Sequence, residues 1–489
     1  MVGLVSIALV VGTTALYRFY QPITHPALLQ FDIFDWMNRS RELMLFGKMT
    51  VPTSLWLFPT VNAWIAKIFG GDLFSVYLFS GATLTTLNVL LLGLIARMLW
   101  PKRILPIVMM ILLYALNTQL LARSVNYLPE TMTYTFGLTL VYCYLFLFLR
   151  KTWKIIPVIL VLTYLFYHLH QSGLNFIVFT VLAITAYVAW LAPIRRRWRA
   201  AIISGGIMAV VGLFVVVEPL RQQFEFFING SKNADVAFQG NAIPFEQIIS
   251  DYPLIFVILL ALGALIIMLK LFRKNSASQR LSYAFLLGIA LFYFLFLYIL
   301  PNLGAYSLVP WRFYTWFSLY AIIIATIGAV ALFDRYRQHQ VTTIVTLFFL
   351  GVSMFHGSLI SDNMFTADRQ TLIDMETIPV HAGVVVTTNA NYLQTRFALA
   401  QNKQYVVYYG PEIFQVRDSE TIGEKLRAIF GKQDIYVLIS LYQLRQKPSS
   451  IDYWNNSAQV QMDVKTFQET STFETVKKTP NILLVKLRS

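Results

Sequence analysis

Apolar runs of about 18 or more residues recur along the first 357 positions of this 489-residue chain. Each is long enough to cross a hydrocarbon layer about 30 Å thick as a helix. Inside lipid a backbone must satisfy its own hydrogen bonds, so such a chain is constrained to a helix bundle. The runs predict about eleven spans, at 4–20, 73–96, 104–121, 131–149, 154–168, 173–193, 200–217, 252–271, 281–300, 313–333 and 341–357. Composition agrees: 57% of residues are hydrophobic and 13% charged, whereas a soluble domain carries about 25% charged residues. The first run has no basic stretch before it, and the "TTALYRFY" that follows is a poor small-residue cleavage site. It reads as a retained helix, not a signal peptide.

The net charge of +15 invites a nucleic-acid reading, but its distribution opposes one. The connections "RMLWPKR", "RKTWK", "RRRWR", "KLFRKNSASQR" and "DRYRQHQ" hold 16 Lys or Arg and one acid, Asp334. Short basic loops at every second connection are the positive-inside pattern, which puts these loops and the N-terminus in the cytoplasm. Ten of the eleven acids before residue 358 then fall on the other side, Asp32, Asp35 and Glu130 among them. The lone cysteine, Cys143, allows no disulfide within the chain and no CxxC metal site.

From residue 358 the pattern changes. "GVVVTTN", "QYVVYYG", "DIYVLISL" and "NILLVKLRS" are short β-branched or aromatic runs bounded by turn residues. Between them, "NYLQTRFALAQ" and "SETIGEKLRAIF" have helical spacing, with Ser419 or Thr421 as N-cap. Alternating strands and helices predict an α/β domain at 358–489 on the extracytoplasmic side. Residues 1–357 would form the transmembrane catalytic domain, with an amphipathic first external loop at 21–72. No GxGxxG or Walker sequence occurs, so nothing points to nucleotide binding.

Candidate chemistry gathers in the external connections. Asp32 and Asp35 of "FDIFDWMNRSRELMLFG" are three residues apart and share a face on a helix. Such a pair can supply a general base or hold a divalent cation, Mg or Mn, with Asp35 as the metal ligand; it can equally favour a helix N-terminus by charge. In "ARSVNYLPETM", Arg123 and Glu130 are pocket candidates, although Pro-Glu is also ordinary first-turn chemistry. "YHLHQSGLNF" sets His168 and His170 at a very short turn, as phosphate or metal contacts or as interfacial residues. In "PNLGAYSLVPWRFYTWF", Arg312 is the one charge among aromatics, and an arginine fork suits phosphate. His356 ends the last span on the same side.

Taken together, these features resemble integral-membrane glycosyltransferases of the GT-C fold, above all bacterial relatives of protein O-mannosyltransferases and aminoarabinose transferases. The resemblance rests on "FDIFDWMNRSRELMLFGKMTVPTSLWLFPTVNAWIAKIFG", "ARSVNYLPETMTYTFGLTLVYCYLF", "HLHQSGLNF", "VPWRFYTWF" and the tail stretch "HAGVVVTTNANYLQTRFALAQNKQYVVYYG". It implies a plasma-membrane enzyme that moves a sugar from a polyprenyl-phosphate donor to an extracytoplasmic hydroxyl on a glycan, lipid or protein. It also implies Asp32 as general base or acceptor-orienting acid, Asp35 as its alternative, Glu130 as the second-loop acid and Arg312 facing the lipid-linked phosphate, aided by a cation or by His168 and His170. The WWDxG signature of oligosaccharyltransferases is absent, and so is an Asp-Glu pair like that of eukaryotic protein O-mannosyltransferases. The rival reading is a transporter or flippase of lipid-linked or small substrates; the long first loop, the large tail and the lack of an inverted repeat weigh against it.

Overall fold

The computed structural model describes residues 2–488 apart from the stretches 30–31, 118–119, 121–126, 192–194, 217–251, 274–275, 303–309, 334–337, 356–364, 388–391, 400–404, 410–417 and 446–456 and a few single positions. The chain divides into two compact units. The helical unit comprises Met1–Arg18, Ala82–Ser124 and Pro129–Gly357; the second comprises Phe19–Gly81, Val125–Leu128 and Ser358–Ser489.

Every one of the eleven expected spans coincides with a helix. Seven are long and apolar enough to cross a membrane: Leu4–Thr24, Leu73–Leu99, Pro129–Arg150, Ser172–Trp190, Leu254–Phe272, Ala277–Ile299 and Phe313–Phe333. Leu105–Ala115 and Trp153–Leu169 are shorter apolar helices, and an 11-residue helix reaches only about 16 Å. Arg196–Val216 and Gln338–Phe355 complete the set. The protein is thus a multi-pass membrane protein.

Within the helical unit, Phe313–Phe333 is the central post, with 83% of its apolar window enclosed. It crosses Leu254–Phe272 at two glycines. A Cβ at Gly263 would fall on the Ile324 carbonyl, and one at Gly328 on the Leu259 carbonyl. Small residues are what let membrane helices approach this closely. Gly137 does a different job: a Cβ there would strike the fully buried Trp316 ring. Around that ring pack Tyr134, Phe166, Phe176 and Tyr293, with centroids 5.0–6.0 Å away. Just beyond Tyr293 the helix widens into a π-helical turn, Leu295–Ile299, a distortion found mostly as single turns and often at functional sites.

The second unit holds a five-stranded sheet in the order β4 (Tyr405–Tyr409), β3 (Gly383–Thr387), β5 (Ile435–Ser440), β7 (Ile482–Leu487), β6 (Phe473–Lys478). β4, β3 and β5 run parallel; β7 is antiparallel to β5 and β6 to β7. Both faces are covered. Val384, Val386, Val437 and Ile439 meet Ile422 and Leu426 of helix Ser419–Phe430, while Val385, Tyr436 and Leu438 meet Met375, Ala398 and Leu399. Burial on both sides is why these strands read as unbroken apolar runs without alternation. Helix Ser419–Phe430 is capped by Asp418, which accepts from the Thr421 N–H at 2.8 Å. The cap therefore precedes both residues expected for it, because Asp418 has the extended backbone that capping needs and Ser419 is already helical.

The first loop belongs to this unit, not to the membrane-spanning one. Its strand β1 (Ala27–Leu29) pairs antiparallel with β2 (Phe365–Asp368). Its amphipathic helix Asp32–Phe46 buries Ile33, Phe34 and Met37 completely in protein.

Candidate functional site

Helix Asp32–Phe46 positions the two loop acids in its first turn. Asp32 is exposed and Asp35 half-buried. The Asp35 carboxylate accepts from Arg39 Nε at 2.9 Å, and the Arg39 guanidinium lies 5.1 Å from the Trp36 ring. The helix stands on an aromatic base. Trp36 meets Phe58 edge-on at 5.6 Å, and Phe58 packs on Tyr77 and Tyr127. Ser40 shares a 2.8 Å hydrogen bond with the Tyr77 hydroxyl, and Tyr127 donates to Asn62 at 2.9 Å. Burial pushes the Tyr127 hydroxyl well up, so it stays protonated and keeps donating.

Farther along the helix, a cavity of about 330 Å³ opens between loop and tail residues of the same unit. Arg41, Asp72, Arg369 and Glu376 supply its charges, and Phe74 and Phe397 its aromatic walls. Arg41 donates to the Phe397 carbonyl and pairs with Glu376 at 3.4 Å; Arg369 pairs with Asp72 at 2.7 Å. Burial works to raise the Asp72 carboxyl, but donors from Ser75 and the Arg369 guanidinium outweigh it and hold it below the usual carboxylate range. None of these four charges was singled out in the sequence. They come from positions up to 335 residues apart, a distance at which no spacing rule operates.

In the helical unit, Glu130 and His170 come together. Glu130 is the second residue of helix Pro129–Arg150, and His170 is the extended residue that closes helix Ile156–Leu169. Their Oε1 and Nε2 atoms are 3.5 Å apart, in side chains only 16% and 13% exposed. His170 Nδ1 accepts the Ser172 N–H at 3.2 Å and lies 2.9 Å from Ser172 Oγ. An Nδ1 that accepts a backbone proton leaves the ring's own proton on Nε2, so the imidazole donates toward Glu130. Thr133 continues the chain: it donates to the Glu130 carbonyl at 2.6 Å and lies 3.4 Å from Ser172 Oγ. His168 takes another direction and stacks edge-on against Tyr164 and Tyr167, each at 4.7 Å. Arg312 is in the first turn of helix Pro310–Phe333, one turn before Trp316; its side chain lies outside the described residues, as do Arg123 and His356.

Asp35 is engaged by Arg39, and among the described residues no three His, Cys, Asp or Glu gather to hold a metal ion.

No protein-family model matches the sequence, and neither does any curated protein. Solved structures do match. Arabinofuranosyltransferase AftD from Mycobacteria superposes with a TM-score of 0.52 at 11% identity, over 99% of this chain and 40% of AftD. This chain therefore spans about two fifths of that protein's length. ArnT from Cupriavidus metallidurans, bound to undecaprenyl phosphate, gives a TM-score of 0.47 at 11% identity, over 98% of this chain and 97% of ArnT; its apo state gives 0.41 at 10%, over 94% of each. The chain carries, over nearly its whole length, the fold of the GT-C membrane glycosyltransferases.

Proposed function

We propose that the protein is a membrane glycosyltransferase that moves a sugar from a polyprenyl-phosphate donor to a hydroxyl acceptor on the extracytoplasmic face of the plasma membrane. The likeness to AftD along 99% of the chain, joined to the acid-bearing helix anchored on Phe58, Tyr77 and Tyr127, is the observation that carries it. The fold lends no support to a transporter or flippase. The acceptor oxygen attacks the anomeric carbon while the bond from that carbon to the phosphate oxygen breaks, so configuration inverts. Two charges then need homes. The hydroxyl proton goes to a carboxylate; Asp32, exposed in the first turn of the helix, is assigned this role, with Asp35 as the alternative. The electron pair leaves with the polyprenyl phosphate, whose growing negative charge Arg312 stabilises, with His168 and His170 as further phosphate partners. Glu130 orients His170 through Nε2. The 330 Å³ cavity is assigned to the acceptor, because paired guanidiniums, carboxylates and aromatic walls suit a hydroxyl-rich ligand. A Mg or Mn ion bound at Asp35 would share that carboxylate with Arg39 or displace it. The N-terminus is assigned to the cytoplasm and the tail to the outside.

The test uses the purified chain in lipid with a panel of polyprenyl-phosphate sugars, pentosyl and hexosyl, and supplied acceptors, with free polyprenyl phosphate as readout. Wild type is run beside Asp32→Asn and Asp35→Asn, with added divalent metal and with chelator. Turnover that disappears in Asp32→Asn with the fold intact supports the assignment. Turnover unchanged in both variants removes the base from this helix, and none across the panel overturns the enzyme reading.

A further inference from the structure

The first loop holds a helix that is apolar on both of its faces. Helix Leu57–Ile68 buries Leu57, Phe58, Ala63 and Ala66 on its inner side, together with Asn62. Phe58 and Asn62 are the residues against which Trp36, Tyr77 and Tyr127 rest. The outer side is just as apolar. Trp64 and Ile68, 69% and 74% exposed, are four positions apart and so share one face, with the half-exposed Val61 and Ile65 beside them. Phe69, which closes the helix, is 75% exposed. A helix that is hydrophobic all round belongs inside protein or membrane, and protein covers only one side of this one.

Its place in the chain determines what covers the other side. Only residues 69–72 separate it from the membrane span Leu73–Leu99. They form a tight turn: Gly70 and Gly71 take φ values of 87° and 89°, which suit glycine, and the Gly71 N–H donates to the Ala66 carbonyl at 2.6 Å. Four residues reach at most about 14 Å when extended, and a turn reaches less. The span itself has 27 residues and is about 40 Å long, the thickness of a bilayer with its headgroups. Its first residue therefore falls in the headgroup layer, and the patch is tied to that level. The patch also has the composition of that layer. Tryptophan is enriched there, and Lys67, exposed between Trp64 and Ile68, can lay its stem on apolar surface while its ammonium meets phosphate. We infer that helix Leu57–Ile68 lies in the membrane interface, with Trp64, Ile68 and Phe69 seated in the boundary between phospholipid headgroups and acyl chains. Helix Asp32–Phe46 is not the interfacial element, because Ile33, Phe34 and Met37 spend its apolar face on protein. One helix thus has two duties: lipid holds its outer face, and its inner face carries the aromatic base of the acid-bearing helix. The inference stands apart from the proposed reaction and is read by lipid contact, not turnover.

Trp64→Cys, Ile68→Cys and, as a control on the exposed turn after helix Ser419–Phe430, Lys432→Cys are each made in a Cys143→Ala background. The whole chain, labelled with a nitroxide, is placed in vesicles of phosphatidylglycerol and phosphatidylcholine. Power-saturation EPR compares collisions with oxygen, which concentrates in lipid, and with a water-soluble nickel chelate. Oxygen should dominate at 64 and 68, and nickel at 432. Nickel dominating at both 64 and 68 overturns the inference. Low access of both reagents at those two positions overturns lipid as the occupant and assigns the face to a protein surface. A second measurement needs no label. The tryptophan emission that disappears in Trp64→Phe should be quenched by phosphatidylcholine brominated high on its acyl chains and spared by aqueous iodide; the reverse pattern also overturns the interfacial placement.

Discussion

At the scale of single residues, environment separates side chains that look alike in sequence. Asp32 and Asp35 are three positions apart, yet Asp32 is exposed while Asp35 is half-buried with its carboxylate held by Arg39 at 2.9 Å. Asp32→Asn is expected to lower turnover by about 10²-fold or more, whereas Asp35→Asn removes a surface pair worth about 0.5 kcal/mol; steady-state release of polyprenyl phosphate and thermal melting check the two. Glu130 and His170 should behave as a unit. Glu130→Gln, His170→Gln and the double variant, compared by kcat/KM, should show a coupling of about 1 kcal/mol or more; additive losses would show that the 3.5 Å pairing has no role in turnover. Asp374 is a stability residue. It accepts from Gln370, Thr479 and Asn481 at 2.6–2.9 Å and so fixes the β6–β7 turn to helix Arg369–Glu376. Burial works to raise its carboxyl, but these donors and Lys477 outweigh it and hold it below the usual value. A lowered folded value means its contribution is fully present above the ordinary carboxylate range and is lost as pH falls through the lowered value. Asp374→Ala should cost about 2 kcal/mol and flatten the acid limb of the tail's pH–stability curve, measurable by hydrogen exchange in the whole chain. Asp374 carries no sequence signal, because its three partners come from its own helix and from a turn about a hundred positions later.

Secondary elements were largely legible where one physical rule governs them. Among the described residues, hydrophobic length found all seven helices long and apolar enough to cross a membrane, since lipid offers the backbone no other partner. β-Branched runs found β3, β5 and β7, which are buried in the middle of the sheet, and the parallel edge strand β4, which is only partly buried. Strand β6 escaped notice because its sequence, FETVKK, turns mostly charged side chains outward. Helix Leu57–Ile68 hid inside the loop; its helical period is clear, but it stands beside Gly70 and Gly71 in what reads as one long connection. The crossing of Leu254–Phe272 over Pro310–Phe333 was not legible either: isolated glycines in apolar helices do not announce which neighbour they admit. Gly263→Leu or Gly328→Val should force the helices apart at a carbonyl, at a cost of about 1–3 kcal/mol or more. Reduced yield of monodisperse protein, with Gly12→Ala as a control in open space, checks this.

For the molecule as a whole, the division into units departs from the linear boundary drawn at residue 358. Composition changes there, but compactness does not follow composition: Phe19–Gly81 and Val125–Leu128 join the tail. The reason is visible at β1 and β2 and at the Arg41–Glu376 and Arg369–Asp72 pairs, all of which link loop to tail within one unit. This interleaving governs the order of events during synthesis. Strand β1, at 27–29, has no partner until β2, at 365–368, has been made and moved to the same side of the membrane. At about 5–20 residues per second the first loop must wait roughly 20–70 s, with Ile33, Phe34 and Met37 unburied, while the helical bundle assembles in between. A nascent chain arrested before residue 365 is therefore expected to contain an inserted bundle and a protease-sensitive first loop, and pulse-labelled proteolysis of arrested chains would time the moment at which that loop closes.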